Sequence, residues 1–436
     1  MLQHALSILA LASLLGCVYE PRELTVPEGH CTLVAGTVAL ADGSPGQLVQ
    51  DTSGSYTVLV AADEVATLDV TAACGTLAWD TSVAAGYVCN AASSACFVAT
   101  DTRLLVHGVG TASGATATGT VSLLAQAVGQ DSVAQRIDIV WLPGASTRAM
   151  FVDLSIETDG VGTAADPRND LLGAIYLAGD ELSIDRSTPY SIYVRGAATL
   201  TLDASLAIPQ GLVLVGGLDG GWRPVQCHCL GYAGAGWVEA MDPAAWGLAC
   251  AAQRLTVQPS GAFNDAALLT YEPQAAGVDT VLEGIALRAS SLGSSMHLVS
   301  VDGASPAGAS QLSLVRSSFE LRDAHGAASS GGGIAVRRPV QLSFLDSEML
   351  IATDNAQGVW IESADATFFA SYSCISVASD TSSRGVAFGY SSPSDTAAAL
   401  DVGIETTYVS VHGGTDAEAV SVSGDAITKV YGQSRL

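Results

Sequence analysis

The stretch GIAVRRPVQLSFLDSEMLIATDNAQGVWI, residues 333–361, contains one complete repeat of the second half of the chain. It begins with Gly-Ile-Ala-Val and ends with Gly-Val-Trp-Ile, and related tetrapeptides follow at 385–388 and 419–422. The second residues of the four tetrapeptides, separated by 25, 27 and 34 positions, are Ile334, Val359, Val386 and Val420. A period of roughly 20–50 residues is typical of a solenoid.

A second series of apolar runs lies between the members of the first. Its anchors, separated by 30, 25 and 34 positions, are Phe319, Met349, Cys374 and Tyr408, and Ile285 precedes Phe319 by 34. Two interleaved series indicate several strands per repeat in a fixed order. Because one coil cannot bury its inward face alone, successive coils must stack around a shared apolar interior. The sequence therefore predicts an all-β fold, with a right-handed parallel β-helix and its N-terminal cap over residues 150–436; a large antiparallel sandwich is the alternative.

The segment before the repeats carries a family resemblance. It contains Phe151-Val-Asp153, then Asp159-Gly-Val-Gly-Thr-Ala-Ala-Asp166-Pro167, then the helix-like stretch Leu171 to Ala178. Ser191-Ile-Tyr-Val-Arg-Gly196 and Val215-Gly-Gly-Leu-Asp-Gly-Gly-Trp222 follow. These residues resemble the entry of pectin-lyase-like β-helix proteins. The resemblance implies an opening strand, a turn and a capping helix before the first coil, and a site on the solvent face of the parallel sheets. Enzymes of that family cleave acidic polysaccharides.

Residues 1–17 are typical of a bacterial lipoprotein signal peptide. The apolar run from Leu6 to Gly16 is too short to span a bilayer. Leu14-Leu-Gly-Cys17 resembles the lipobox, which implies that Cys17 is lipidated, and Val18 then implies the outer rather than the inner membrane. We therefore expect an exported protein that meets the membrane through a lipid anchor and faces the periplasm or the cell surface. An ordinary signal peptide is the alternative.

The charge balance restricts the partners. The chain has 17 basic and 43 acidic residues, a net charge of -26, and its only lysine is Lys429. Such a surface repels phosphate backbones and anionic headgroups, so we expect no nucleic-acid partner and no membrane binding through a basic patch.

A linker over residues 18–30 and a small domain over residues 31–142 are predicted to precede the β-helix. In the small domain, short alternating or β-branched runs are separated by turns such as Asp42-Gly-Ser-Pro-Gly and Gly110-Thr-Ala-Ser-Gly. About seven strands in about 110 residues favour an antiparallel β-sandwich. Its expected role is that of a spacer or an adhesive module.

Eight cysteines remain after Cys17, and an even number in an exported protein favours disulfides. The disulfide candidates are Cys31, Cys74, Cys89, Cys96, Cys227, Cys229 and Cys250. Cys89 and Cys96 could staple a hairpin, which would leave Cys31 and Cys74 as partners, and Cys227 or Cys229 could join Cys250. Cys374 occupies a predicted inward strand position and is interpreted as a small buried hydrophobe. The Cys-x-Cys pair of residues 227–229 lacks the usual spacing of zinc ligands, so no metal is assigned there.

Three carboxylates within 14 residues, those of Asp153, Asp159 and Asp166, are the weak candidates for a calcium site. They do not follow the order of an EF-hand, and the capping of turns by aspartate side chains also explains them. No other cofactor is expected.

Residues that could perform catalysis are scarce. An Asp-Asp pair, an Asn-Thr-Asp or Gly-His-Gly motif and a Gly-x-Ser-x-Gly elbow are all absent from the sequence. The candidate bases are Arg337 and Arg338 after a predicted strand and His412 near a turn, and all three are interpreted as surface or structural residues. No catalytic residue is therefore assigned.

Two functions from different classes remain open. The first is a non-catalytic cell-envelope lipoprotein whose β-helix is a scaffold or binding surface for carbohydrate or protein, to which Trp360 and Tyr390 could contribute. The alternative is a polysaccharide lyase or glycoside hydrolase with a divergent site, for which clustered carboxylates opposite an arginine or lysine would be the discriminating feature. A purely structural surface component is a third possibility.

Overall fold

The computed structural model describes residues 33–34, 38–40, 46–50, 56–61, 64–69, 71–72, 76–80, 97–100, 103–107, 117–126, 133–143, 148–224, 232–233, 236–237, 254–291, 296–303, 310–323, 330–363, 365–379, 381–389, 401–405, 407–412, 416–423 and 427–431. Cys17, the proposed linker and Tyr390 lie outside these residues, as does every cysteine except Cys374.

The N-terminal part of the chain forms two small sheets around a common core. Its strands are Leu33–Val34 (β1), Val38–Leu40 (β2), Gln47–Gln50 (β3), Tyr56–Ala61 (β4), Val65–Asp69 (β5), Thr71–Ala72 (β6), Thr76–Asp80 (β7), Phe97–Thr100 (β8), Arg103–His107 (β9), Ala117–Gln126 (β10) and Val133–Leu142 (β11). One sheet has the order β2-β5-β9-β8 and the other β3-β4-β11-β10-β7, while β1 pairs with β6. Residues such as Leu68 and Leu104 from the first sheet and Val58 and Ile139 from the second share one buried cluster.

This arrangement is the small sandwich that the sequence predicts, with two differences. The described residues between 33 and 142 already contain eleven strands instead of about seven. In addition, β4 and β11 pair in parallel, whereas the prediction was antiparallel throughout.

Three long parallel sheets form the rest of the chain. Sheet 1 consists of Ala149–Asp153 (β12), Tyr190–Arg195 (β13), Leu212–Leu218 (β16), Asp279–Glu283 (β21), Gln311–Val315 (β24), Gln341–Leu345 (β27), Thr367–Ser371 (β30), Asp401–Glu405 (β33) and Ile427–Tyr431 (β36). Sheet 2 consists of Thr199–Leu202 (β14), Leu255–Pro259 (β19), Ile285–Ser291 (β22), Ser318–Asp323 (β25), Glu348–Ala352 (β28), Cys374–Ala378 (β31) and Tyr408–His412 (β34). Sheet 3 consists of Leu206–Ile208 (β15), Ala267–Tyr271 (β20), Met296–Val301 (β23), Ser330–Val336 (β26), Asn355–Ile361 (β29), Ser382–Gly389 (β32) and Asp416–Ser423 (β35).

From β13 onward the chain visits the three sheets in rotation, one strand in each, and every neighbouring pair within these sheets is parallel. This is a parallel β-helix, and the predicted all-β fold is confirmed. Between β16 and β19 the chain makes a longer excursion that contains a two-stranded hairpin, Tyr232–Ala233 (β17) with Gly236–Trp237 (β18). The first predicted series is in register, because Ile334, Val359, Val386 and Val420 align across adjacent coils.

The second predicted series is wrong at three positions: Cys374 and Tyr408 are each one residue out, and Leu287 rather than Ile285 aligns with Phe319. Met349 aligns with Ile375, and Ile375 with Val409. Cys374 aligns instead with Glu348 and Tyr408, and alternation along the strand turns it to the outer face of sheet 2. The interpretation of Cys374 as an inward hydrophobe is therefore corrected: it is fully buried, lies outside the interior cluster, and is disulfide-bonded.

The glycine that opens three of the four tetrapeptides of the first series makes room in the interior. A Cβ atom on Gly333 would lie 2.4 Å from the Sδ atom of Met349. At Gly358 it would lie 2.9 Å from Cγ2 of Ile375, and at Gly385 2.6 Å from Cγ1 of Val409. Sheet 3 therefore approaches sheet 2 closely here, and the large inward side chains of sheet 2 fill the space that the glycines leave.

A column of buried serines stabilises the corner between sheets 1 and 2. Ser347 accepts a hydrogen bond from the N–H of Ser317 at 3.1 Å and donates to the carbonyl of Leu345 at 2.8 Å. Ser373 accepts from the N–H of Ser347 at 3.1 Å in the same way. Each hydroxyl thus satisfies backbone groups of its own corner and the preceding one, which buried corners require. The residues before these serines have positive φ, with values of 47°, 47° and 50° at Arg316, Asp346 and Tyr372.

The first coil is closed by a helix and covered by the N-terminal sandwich. The helix Leu171–Ile184 (α1) begins at Asp170, whose carboxylate accepts from the N–H of Gly173, and its apolar side joins the interior cluster. Leu59 and Val140 of the sandwich pack with sheet 1 in a separate buried cluster that includes Trp222. Arg223 ties the two parts together through a 2.7 Å contact with Asp138. In the described part of the chain, no helix is sufficiently long and apolar to cross a bilayer.

Candidate binding surface on sheet 3

The outer face of sheet 3 contains a row of small residues interrupted by one large aromatic. Ser300, Ala335, Trp360 and Ala387 align across four adjacent coils. Because the next inward residues are Val301, Val336 and Ile361, alternation places this row on the outside of the sheet. Alanine on both sides of Trp360 leaves lateral room for the indole, which is half-buried.

A charged ladder lies at the corner where the strands of sheet 3 end. Asp302, Arg337 and Glu362 each follow the last residue of β23, β26 and β29, so they occupy equivalent positions in three consecutive coils. Backbone hydrogen bonds from Arg337 N to Val301 O at 3.0 Å and from Glu362 N to Val336 O at 2.8 Å hold this stacking. The charge therefore alternates, acid, base, acid, along the helix axis.

The side chains of this ladder are joined in one hydrogen-bonded network. Nη1 of Arg337 donates to Asp302 Oδ2 at 3.1 Å and to Ser300 Oγ at 3.1 Å. Nε of Arg337 lies 3.5 Å from Oε2 of Glu362. The indole N–H of Trp360 donates to Oε1 of Glu362 at 2.7 Å, so the orientation of the ring is linked to the ladder. We refer to Ser300, Asp302, Arg337, Trp360 and Glu362 as the Trp360 surface.

His297 borders the Trp360 surface as a neutral group. Burial lowers the pKa of its imidazole to about 4, and the positive charge of Arg337 acts in the same direction. Its Nδ1 atom is buried without a hydrogen-bond partner and lies where a Cβ on Gly332 would approach to 2.6 Å. Near neutral pH the charged groups of the network are therefore one guanidinium and two carboxylates.

Exposure distinguishes this ladder from buried arginine–acid pairs such as Arg254–Glu348, and the Arg384–Glu418 pair on the same sheet is similarly exposed. The side chains of Arg337, Asp302 and Glu362 are 39%, 41% and 36% exposed. The Arg254–Glu348 pair on sheet 2 is 4% and 8% exposed and can only serve the fold. A ligand can therefore reach the ladder at Arg337.

The three aspartates predicted as weak calcium candidates each have donors from the protein. Asp153 accepts from Ser155 and contacts Arg195 at 2.6 Å. Asp159 forms a 2.7 Å ion pair with Arg168, and Asp166 accepts from the N–H of Val161. Burial opposes ionisation of Asp153, but its hydrogen bonds to Ser155 and Arg195 leave its pKa below the usual value. The described residues contain no group of three or more His, Cys, Asp or Glu that could hold a metal ion.

The remaining predicted residues fall in separate places. Arg337 and Trp360 meet in the Trp360 surface, whereas Arg338 is an exposed residue next along the chain. His412 ends β34 on sheet 2, and its side chain is outside the described part. The lipidation residue Cys17 and the disulfide candidates Cys31, Cys74, Cys89, Cys96, Cys227, Cys229 and Cys250 also lie outside it.

Asp302, Glu362 and Ser300 are the members of the surface that the sequence reasoning missed. The signal was available: Arg337 and Glu362 each lie three residues after an in-register anchor, Ile334 and Val359, and Asp302 lies three after Val299. Extending the alignment of the repeats by three positions beyond these anchors would have placed the three charged residues at equivalent positions.

Comparison with known proteins adds no relative. No protein-family model matches the chain, and no curated protein is significantly similar to it.

Proposed function

We propose that this chain is a non-catalytic, exported lipoprotein of the cell envelope whose β-helix is a scaffold that binds carbohydrate at the Trp360 surface. The observation that carries the proposal is the indole of Trp360, fixed by its 2.7 Å bond to Glu362 and flanked by an exposed polar network. An aromatic ring offers its face to the C–H groups of a sugar, while fixed polar groups around it bind hydroxyls and set orientation.

The proposed location rests on the sequence. The lipobox-like residues Leu14 to Cys17 support lipidation of Cys17 and an anchor in the outer membrane, with the body in the periplasm or at the surface. Several acyl chains are needed for stable anchoring, because each buried methylene adds only about 0.8 kcal/mol. The pectin-lyase-like motifs support the proposal that the chain is a distant member of that family. Palmitate labelling of the expressed chain, compared with a Cys17→Ala variant, tests the anchor.

An enzymatic role is the weaker candidate. The two carboxylates beside Arg337 are the feature that favours it. A lyase, however, needs a base, and the guanidinium of Arg337 is engaged by a carboxylate on each side. Incubation with uronate polymers, with and without calcium, and a search for unsaturated products or new reducing ends would detect an activity.

The binding proposal is tested on a glycan array with the mature protein. We expect Trp360→Ala to weaken binding about thirtyfold, since loss of a central aromatic costs about 2 kcal/mol. Tyr176→Ala is the matched control, because Tyr176 is an aromatic on α1 that is 66% exposed and outside the surface. Failure of the wild-type protein to retain any glycan contradicts the proposal, and equal binding by both variants contradicts the choice of surface.

A further inference from the structure

We propose that the Trp360 surface selects uncharged sugars and rejects uronates, the substrates that the family resemblance implies. This inference rests on the proposed carbohydrate function and names the class of ligand. The first support for it comes from the contacts of Arg337, the one cation of the Trp360 surface.

Two of the three guanidinium nitrogens of Arg337, Nη1 and Nε, are already engaged by acidic side chains. Its Nη1 atom contacts Ser300 and both oxygens of Asp302, and its Nε atom faces Glu362. Each bidentate edge of a guanidinium includes Nε or Nη1, so a sugar carboxylate could form a bidentate pair with Arg337 only by displacing Asp302 or Glu362. The exchange would replace one carboxylate by another and leave the displaced acid without its partner, so it offers no net gain.

The charge around Arg337 also opposes an acidic ligand. Two carboxylates face one guanidinium, and His297 is neutral because burial lowers its pKa to about 4. The surface therefore has a net negative charge, on a chain whose total is -26. A uronate polymer approaching it meets repulsion both locally and from the whole molecule.

A neutral sugar fits the same groups. The carboxylates of Asp302 and Glu362 each retain acceptor sites beyond the hydrogen bonds that Ser300, Arg337 and Trp360 donate, and a sugar hydroxyl is a donor. Arg337 holds both carboxylates in place before binding, which lowers the entropic cost of ordering them. The same pairing that excludes an acid thus preorganises the site for hydroxyl groups beside the indole.

The test uses the full mature chain and an array of matched polymers: galactan with polygalacturonate, glucan with polyglucuronate, and mannan with polymannuronate. We expect at least tenfold tighter binding to one or more neutral members than to their acidic counterparts. Binding of the neutral polymer should change little between low and high salt, because no ion pair forms with it.

Two variants probe the role of the ladder. Glu362→Gln keeps the shape, weakens acceptance from a sugar hydroxyl and leaves Arg337 with one carboxylate fewer. We expect binding of the neutral polymer to fall about tenfold, and the preference over the uronate to shrink. Arg338→Gln is the matched control, because Arg338 is an exposed arginine adjacent in sequence and outside the network; it should change neither.

A wild-type preference for uronate polymers, or a loss of binding in Arg338→Gln, overturns this inference while leaving the carbohydrate function standing. Retention of no polymer at all overturns the proposed function and this inference with it.

Discussion

The close approach of sheets 2 and 3 makes Gly358 a sensitive position. In Gly358→Ala the new Cβ atom would lie 2.3 Å from the carbonyl oxygen of Gly385 and 2.9 Å from Cγ2 of Ile375. That carbonyl belongs to the strand paired with β29, so it cannot move away without disturbing the ladder between two coils. The methyl group must therefore strain either the interior or the backbone pairing.

The expected magnitude follows from two opposing effects. Overpacking of a filled interior costs about 1–3 kcal/mol, and more when backbone atoms are involved. Removal of a glycine stabilises by about 0.4–1 kcal/mol, because the unfolded chain loses freedom. We expect a net loss of about 1–2 kcal/mol in the free energy of unfolding for Gly358→Ala, and a greater loss for Gly358→Val.

Gly261→Ala is the matched control. No atom lies within 4 Å of a Cβ at Gly261, and its φ is not positive, so only the stabilising effect should remain. Urea denaturation followed by far-UV circular dichroism gives the comparison through the midpoints and slopes. If Gly358→Ala proves as stable as Gly261→Ala, the glycine does not mark a point of close packing and the inward placement of this position is refuted.

Three further predictions concern the outer face of sheet 2. Arg254→Met should lose about 3–5 kcal/mol because Glu348 would remain buried without its partner, whereas the double change with Glu348→Leu should recover most of it by the same urea titration. Burial raises the pKa of Glu348 above 4.5. The stability that this group contributes is therefore full below that pH and is lost as the pH rises through the folded pKa. The stability of Glu348→Gln relative to wild type should increase over that range, and a constant difference would contradict this. We expect a disulfide between Cys374 and Cys250. Arg254 contacts Glu348, the register neighbour of Cys374, and four residues of extended chain, about 14 Å, separate Cys250 from Arg254. Non-reducing peptide mapping that instead links Cys374 to a cysteine before residue 100 would refute it.

The repeat was predictable where a glycine and a following β-branched residue recur in three successive coils, at 333–334, 358–359 and 385–386. Val359 and Val386 follow an inward glycine, and that combination fixes the phase of the strand in sheet 3. The phase in sheet 2 was lost at the corner before it. There Tyr372, just before β31, has positive φ, a conformation for which tyrosine gives no sequence signal. A one-residue error in phase is enough to turn Cys374 from the outer face to the interior.

The Trp360 surface was predictable only in part, for a related reason. Trp360 and Arg337 stand out in the sequence by residue type. Asp302 becomes a candidate only when the residues stacked on it in the next coils are known. Which residues stack depends on the length of each coil, and the spacing of the anchors varies between 25 and 34 residues. Counting along the chain alone cannot place a side chain next to its neighbour in another coil until the strand registers are known.

The acidity of the chain and its fold together limit what the surface can bind. Stacked coils bring equivalent positions to about 4.8 Å, so like charges at those positions repel. An arginine between acids of adjacent coils removes this repulsion, as Arg337 does for Asp302 and Glu362. Arg288 pairs in the same way with a single acid of the next coil, Glu320. With 17 basic residues against 43 acidic ones, arginines engaged in this way leave few cations to recruit an acidic polymer. The same ion pairs that stabilise the stack of coils therefore favour ligands that bring hydroxyl groups rather than negative charge.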